Sequence, residues 1–145
     1  MINARPIFNQ FNLIVTNMAA TVAFYRLLGL VIPDTDPEWQ LHHRSAELAD
    51  GIDLDFDSVA FARRWNRGWP ARAPGGMGVL GFRLASRAAV DETYAALIAA
   101  GHIGQQPPYD AFWGARYAIV EDPDGNAVGV MSPVDVTLRG QPAPP

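Results

Sequence analysis

The chain contains no cysteine. That absence excludes disulfides, thiol nucleophiles and thiolate metal sites together. Lysine is missing as well, so all 11 basic residues are arginine. No stretch approaches the ~20 consecutive apolar residues that a membrane-spanning helix needs. The opening MINARPIFNQ lacks the apolar run of a secretion signal, which points to a cytoplasmic protein. A net charge of −4 gives no basic excess, which argues against a nucleic-acid partner. Nucleophile elbows, phosphate loops and dinucleotide fingerprints are all missing, and no catalytic residue is assigned.

What is present is a repeat. At 145 residues, 49% of them apolar, the chain suits one domain or two small units sharing a core. QFNLIVTNMAATVAFY (10–25) aligns with VLGFRLASRAAVDETY (79–94). Phe11, Leu13 and Val15 fall on Leu80, Phe82 and Leu84 with the period of a strand. Asn17 falls on Ser86, both good helix N-caps. Val22, Tyr25 and Leu28, and likewise Val90, Tyr94, Leu97 and Ile98, recur at helical spacing. Gly29 and Gly101 follow these helices, where a terminating glycine belongs. Later in each half, ELADGIDLDF (47–56) aligns with EDPDGNAVGV (121–130) around two glycine-ended turns.

Each unit therefore reads strand, helix, strand, strand, strand. The predicted strands are 8–16, 29–33, 39–48 and 52–57 in unit one, and 78–85, 103–107, 113–121 and 126–131 in unit two. Residues 58–76 read as a linker and 134–145 as a disordered tail. The expected fold is α+β: two βαβββ units, about 8–57 and 77–133, forming a half-open barrel with helices outside.

This pattern resembles the vicinal oxygen chelate superfamily, the group of glyoxalase I, extradiol dioxygenases and the bleomycin and fosfomycin resistance proteins. LIVTNMAATVAFYRLLGL (13–30) and YAIVEDPDGNAVGVMSP (117–133) carry the likeness. The superfamily includes metalloenzymes, whose four ligands point into a cup, and binders that do no chemistry. Carried over by position, the ligand sites fall on Gln10, Asp55, Val79 and Gly129. Gln10 and Asp55 are candidate metal ligands, whereas Val79 and Gly129 have no donor side chain. His42 and His43 lie on a predicted strand, where alternation turns one of them inward. Asp55 with either histidine is an acid–base pairing that nothing in the spacing requires.

Alternation in GIDLDFD turns Ile52, Leu54 and Phe56 toward the helices and Asp53, Asp55 and Asp57 toward the cup. Neighbouring carboxylates at that spacing repel by about 2.5 kcal/mol at an effective dielectric near 20. Such a row must be wet, paired with a cation or partly protonated. Gln10, Asn12 and Ile14 share that face, as do Val79, Gly81 and Arg83, with Arg83 a candidate partner for an aspartate. Trp39, Trp65, Trp69, Trp113, Tyr109 and Phe112 sit in or beside irregular stretches, and PPYDAFWGARY (107–117) concentrates aromatics around an aspartate. Gly129, a glycine within a strand, suggests room for something larger than an ion.

The residues and the resemblance together lead to a metal-independent small-molecule binder of the bleomycin-resistance type. Its ligand would be a cationic aromatic molecule such as an antibiotic, its form a homodimer, and it would need no cofactor. The ligand residues would be Gln10, Asn12, Asp53, Asp55 and Arg83, with Trp39, Trp113, Tyr109 and Gly129. One alternative is a metal-dependent lyase, isomerase or dioxygenase holding a divalent ion. Another is a partner-binding regulatory module using Arg63, Arg64, Arg67 and Arg72 of the linker.

Overall fold

A computed structural model of the chain describes residues 10–49, 51–65 and 79–140. The chain divides into two compact units, Met1–Ala73 and Pro74–Pro145.

In unit one, β1 (Gln10–Val15) leads into α1 (Met18–Leu28), followed by β2 (His43–Ala46), β3 (Asp53–Ser58) and α2 (Val59–Trp65). The Asn17 side chain accepts from the Ala20 N–H at 3.0 Å and so starts α1, and Gly29, at φ 112°, ends it. The sheet order is β1-β3-β2, with β1 parallel and β2 antiparallel to β3. Phe24, Tyr25, Leu28, Leu54 and Phe56 are buried. The Tyr25 ring lies 4.9 Å from Phe56 and 5.0 Å from Phe24, so the helix stripe and the Leu54–Phe56 face of β3 make one aromatic core.

Unit two begins in the same strand–helix–strand–strand order and ends in a further strand instead of a helix. It consists of β4 (Val79–Arg83), α3 (Arg87–Ala99), β5 (Gly104–Asp110), β6 (Arg116–Glu121) and β7 (Ala127–Met131), then a 3-10 turn at Val136–Leu138. Its sheet runs β4-β7-β6-β5, again with first and last strands parallel. Ser86 caps α3 through the Ala89 N–H at 3.1 Å. The repeat is visible in the pairing itself: Asn12 stands beside Asp55 in unit one, and Gly81 beside Gly129 in unit two.

The α+β expectation and the strand–helix order hold, and several details change. The predicted strand 29–33 shrinks to a single bridge between Val31 and Glu47, because Pro33 and Pro37 cannot donate to a ladder. The predicted strand 39–48 begins only at His43, since 36–43 close on themselves through Trp39 N–H to Asp36 O (2.9 Å) and His43 N–H to Trp39 O (2.9 Å). Ile52 and Ile98, each 39% exposed, are not core residues.

The linker contains a helix, α2, started by Ser58, whose hydroxyl accepts from the Phe61 N–H at 3.1 Å. Arg67, Trp69 and Arg72 lie outside the described residues. The tail is held as far as residue 140. Asp135 N–H donates to Gly114 O at 2.9 Å and Gly140 N–H to Phe112 O at 2.8 Å. Gly114, at φ 94°, has no room for a Cβ, which would stand 2.2 Å from the Asp135 carbonyl oxygen.

Candidate functional site

The three strands of unit one align six side chains on one face in two rungs, and all but Ile14 are polar. Asn12, Asp55 and Ser45 make one rung, and Ile14, Asp57 and His43 the next. Asp57, expected to line an open cup, is instead 1% exposed. A buried carboxylate must be hydrogen-bonded, and both of its oxygens are: Asn12 Nδ2 donates to Oδ2 at 2.9 Å, and His43 Nδ1 lies 2.6 Å from Oδ1. The Ser45 hydroxyl donates to Asp55 Oδ1 at 2.6 Å. The aspartate row is thus resolved within its own sheet. Asp57 is paired, Asp55 is hydrogen-bonded and Asp53 is exposed. Gln10 heads β1 beside Asp53.

His43 is the inward histidine of the two. His42 is exposed and meets Ser58 Oγ at 2.9 Å. The His43 ring stands edge-to-face with Phe61 at 5.7 Å, and Phe61 with Trp39 at 5.4 Å. These three side chains, with Thr35 and Asp36, line a cavity of about 390 Å³. An adjoining one of about 310 Å³ shares Trp39 and Phe61 and adds Glu38, His42, Ala60 and Arg64. Both fall near the low end of the roughly 300–1,000 Å³ usual for small-molecule sites. Thr35 Oγ1 is buried without a hydrogen-bond partner.

The segment leading into this cavity is pinned by two arginines. Arg44 of β2, 5% exposed, donates to the Pro33 carbonyl at 2.7 Å and to Asp34 at 3.3 Å. Arg26 bonds Asp34 at 3.0 Å, and its guanidinium holds that carboxyl below its ordinary 3.8, with Arg44 adding to the effect. The segment carrying Thr35 and Asp36 is therefore anchored to both α1 and β2.

In unit two the aromatic residues meet one another. Trp113 lies 5.3 Å from Tyr117 and 6.4 Å from Tyr109, with interplanar angles of 68° and 86°, and Phe112 packs on Trp113 at 5.1 Å. Edge-to-face contact at these distances is a packed cluster, with no slot between rings. Trp113 Nε1 donates to Met131 Sδ at 3.1 Å. Burial pushes the Tyr117 phenol above its ordinary 10.0, with Tyr109 adding to the shift. Asp110 is committed to Arg87 and, at 3.2 Å, to Arg116. Arg83 is exposed on β4.

Gly129 has a physical explanation within its own sheet. A Cβ there would lie 2.6 Å from Tyr117 Oη and 2.9 Å from Cε2. The missing side chain makes room for the Tyr117 ring, which corrects the expectation that a ligand fills that space.

The profile of the glyoxalase/bleomycin resistance protein/dioxygenase superfamily matches residues 7–130. The chain belongs to that superfamily. Solved structures agree in fold. One is a glyoxalase/bleomycin resistance protein/dioxygenase family enzyme from Burkholderia phytofirmans PsJN, with TM-score 0.72, 20% identity, and coverage of 86% of this chain and 97% of that one. Another is a glyoxalase/bleomycin resistance protein/dioxygenase from Nocardioides, with TM-score 0.66, 25% identity, and coverage of 98% and 93%. A third is lactoylglutathione lyase from Agrobacterium tumefaciens, with TM-score 0.63, 21% identity, and coverage of 91% and 96%. No curated protein matches the chain.

The residues at the superfamily's ligand positions do not fit a metal ion. Val79 is apolar and 53% exposed, and Gly129 lies under a tyrosine ring. Among the described residues no group of three or more His, Asp or Glu stands close enough to hold one. Among the described residues, too, no helix is long and apolar enough to cross a membrane.

Sequence reasoning missed Phe61, Thr35, Tyr117 and the pairing of His43 with Asp57. The signal for Phe61 was present in SVAFARRW, a serine cap before a helix-forming run. Tyr117 and Gly129 are joined by strand pairing, which a single strand does not reveal.

Proposed function

We propose that this member of the superfamily is a metal-independent binder of small aromatic molecules, resembling the bleomycin-resistance type, and that it acts as a homodimer without a cofactor. The observation that carries the reading is the contrast between two places. The ligand positions at Val79 and Gly129 supply no donor. The cavity in unit one supplies two aromatic walls, Trp39 and Phe61, beside the carboxylate of Asp36. Aromatic faces next to a carboxylate suit flat ligands that carry positive charge. Asn12 and Asp55 serve this site by ordering the sheet beneath it, while Tyr109 and Trp113 offer only the outer faces of their cluster.

A thermal-shift screen of cationic aromatic antibiotics, run in the presence of a chelator, tests the reading. Ligand at 100 times its Kd stabilises the folded state by about 2.7 kcal/mol. The expected result is stabilisation by at least one compound, lost in Trp39→Ala. A stoichiometric divalent ion that is lost in Asp55→Ala, with ligand binding dependent on it, would overturn the reading.

A further inference from the structure

We infer that the two adjoining cavities of unit one form a single site for a free aromatic amino acid, its ring beside Trp39 and Phe61 and its zwitterionic head between Glu38 and Arg64. The inference rests on the binding role proposed for these walls and narrows it to one class of ligand.

The walls divide the site into two chambers of different character. Trp39 and Phe61 meet edge-to-face at 5.4 Å and belong to both. The first chamber, completed by the His43 ring, is almost wholly apolar at its surface. The second is polar and apolar in nearly equal measure, and Glu38 and Arg64 line it. A molecule that fills both must be aromatic at one end and charged at the other.

The charges of the second chamber are uncommitted. Arg26, Arg44, Arg87 and Arg116 each pair with an aspartate. Among the described residues Arg64 has no such partner and neither has Glu38, although both line the same chamber. Two opposite charges that do not close on each other are closed by a molecule bearing both complements. The guanidinium fork matches a carboxylate through two parallel hydrogen bonds, and the Glu38 carboxylate accepts from an ammonium. Asp36, two residues along the same turn, adds negative potential on that side. An amine alone leaves Arg64 unanswered, and an acid alone leaves Glu38 unanswered. An α-amino acid answers both.

The elements that carry these charges are already tied together. Glu38 lies in the turn closed by Trp39 N–H to Asp36 O at 2.9 Å and His42 N–H to Trp39 O at 2.8 Å. Arg64 follows Ala60 by one turn of α2, so the two share the face that lines the chamber. Ser58 joins turn to helix. Its N–H donates to His42 O at 3.0 Å, and its hydroxyl lies 2.9 Å from His42 Nδ1 while capping α2 through the Phe61 N–H at 3.1 Å. The backbones behind Glu38 and Arg64 are thus placed before a ligand arrives, which lowers the ordering cost of binding.

Three probes with the same ring test the inference by calorimetric titration at neutral pH in chelator-containing buffer. They are L-phenylalanine, phenethylamine, which lacks the carboxylate, and 3-phenylpropanoate, which lacks the ammonium. L-Phenylalanine is expected to bind about fivefold more tightly than either, the upper end for exposed ion pairs. Arg64→Gln should weaken L-phenylalanine by about the same factor and leave phenethylamine no weaker. Glu38→Gln should weaken L-phenylalanine and leave 3-phenylpropanoate no weaker, and Trp39→Ala should weaken all three. Glu38 and Arg64 are exposed, so neither substitution should move the thermal unfolding of the free protein. Phenethylamine binding as tightly as L-phenylalanine, or an L-phenylalanine Kd indifferent to Arg64→Gln or to Trp39→Ala, overturns the inference. Failure of L-phenylalanine to bind while aromatic cations do overturns it and leaves the binding role standing. Failure of both overturns both.

Discussion

Replacing Gly129 with alanine separates two explanations for a glycine in the middle of a strand. The new Cβ would lie 2.6 Å from Tyr117 Oη and 3.1 Å from Cζ, against an optimal contact of about 3.5–4.0 Å. The ring must swing by roughly 1 Å, away from Trp113 at 5.3 Å and Tyr109 at 6.2 Å. Each aromatic pair contributes about 0.5–1.5 kcal/mol beyond its burial, so weakening both costs about 1–3 kcal/mol. Alanine returns about 0.5–1 kcal/mol through its better strand conformation. The net expectation is a loss of about 0–2.5 kcal/mol, centred on about 1 kcal/mol, or roughly 3–4 °C in Tm at the centre for a chain of this size. Urea unfolding followed by tryptophan fluorescence measures it. In the double variant with Tyr117→Ala the penalty should vanish, giving a coupling of about 1 kcal/mol or more. If Gly129→Ala alone is stabilising, and remains equally so without Tyr117, the glycine is not there for the tyrosine.

Three further outcomes follow from the ion pairs and titrating groups. Asp57→Ala strands Asn12 and His43 beside a buried cavity and should cost about 3 kcal/mol in urea unfolding, whereas Asp53→Ala, on the exposed end of the same strand, should be nearly neutral. Tyr117 has a folded value raised above 10.0, so its contribution is complete below pH 10 and is lost as the pH climbs through the higher folded value. Tyrosinate absorbance should show one late-titrating tyrosine, and a Tyr117→Phe variant should lose that alkaline sensitivity. Asp34 is shifted the other way, below 3.8, so its contribution is present above pH 3.8 and disappears as pH falls through the lower folded value. Asp34→Asn should accordingly shallow the acid unfolding profile.

The fold was legible because its signals are local and doubled. Asn17 and Ser86 are caps that can be read without knowing any tertiary contact, and the two halves check each other: the same offsets that align the sequences place Asn12 opposite Asp55 and Gly81 opposite Gly129. The site was less legible because it depends on register. Alternation correctly put Asp53, Asp55 and Asp57 on one face, yet it could not say that β2 starts at His43 and so sets that ring on Asp57. A turn at 36–42 moved Trp39 off the predicted strand, and the serine-capped α2 brought Phe61 to meet it. Tyr117 and Gly129 illustrate the same limit, since the space one leaves for the other exists only once β6 and β7 are paired.

We propose that the cavity walled by Trp39 and Phe61 binds a small aromatic molecule with no metal ion taking part. Calorimetric titration of chelator-dialysed protein with a ligand found by thermal shift tests it most directly. A saturable isotherm is expected, with the same Kd before and after divalent ions are restored, weakened at least tenfold by Trp39→Ala. Binding that appears only when the metal is returned, and that is indifferent to Trp39, would contradict it.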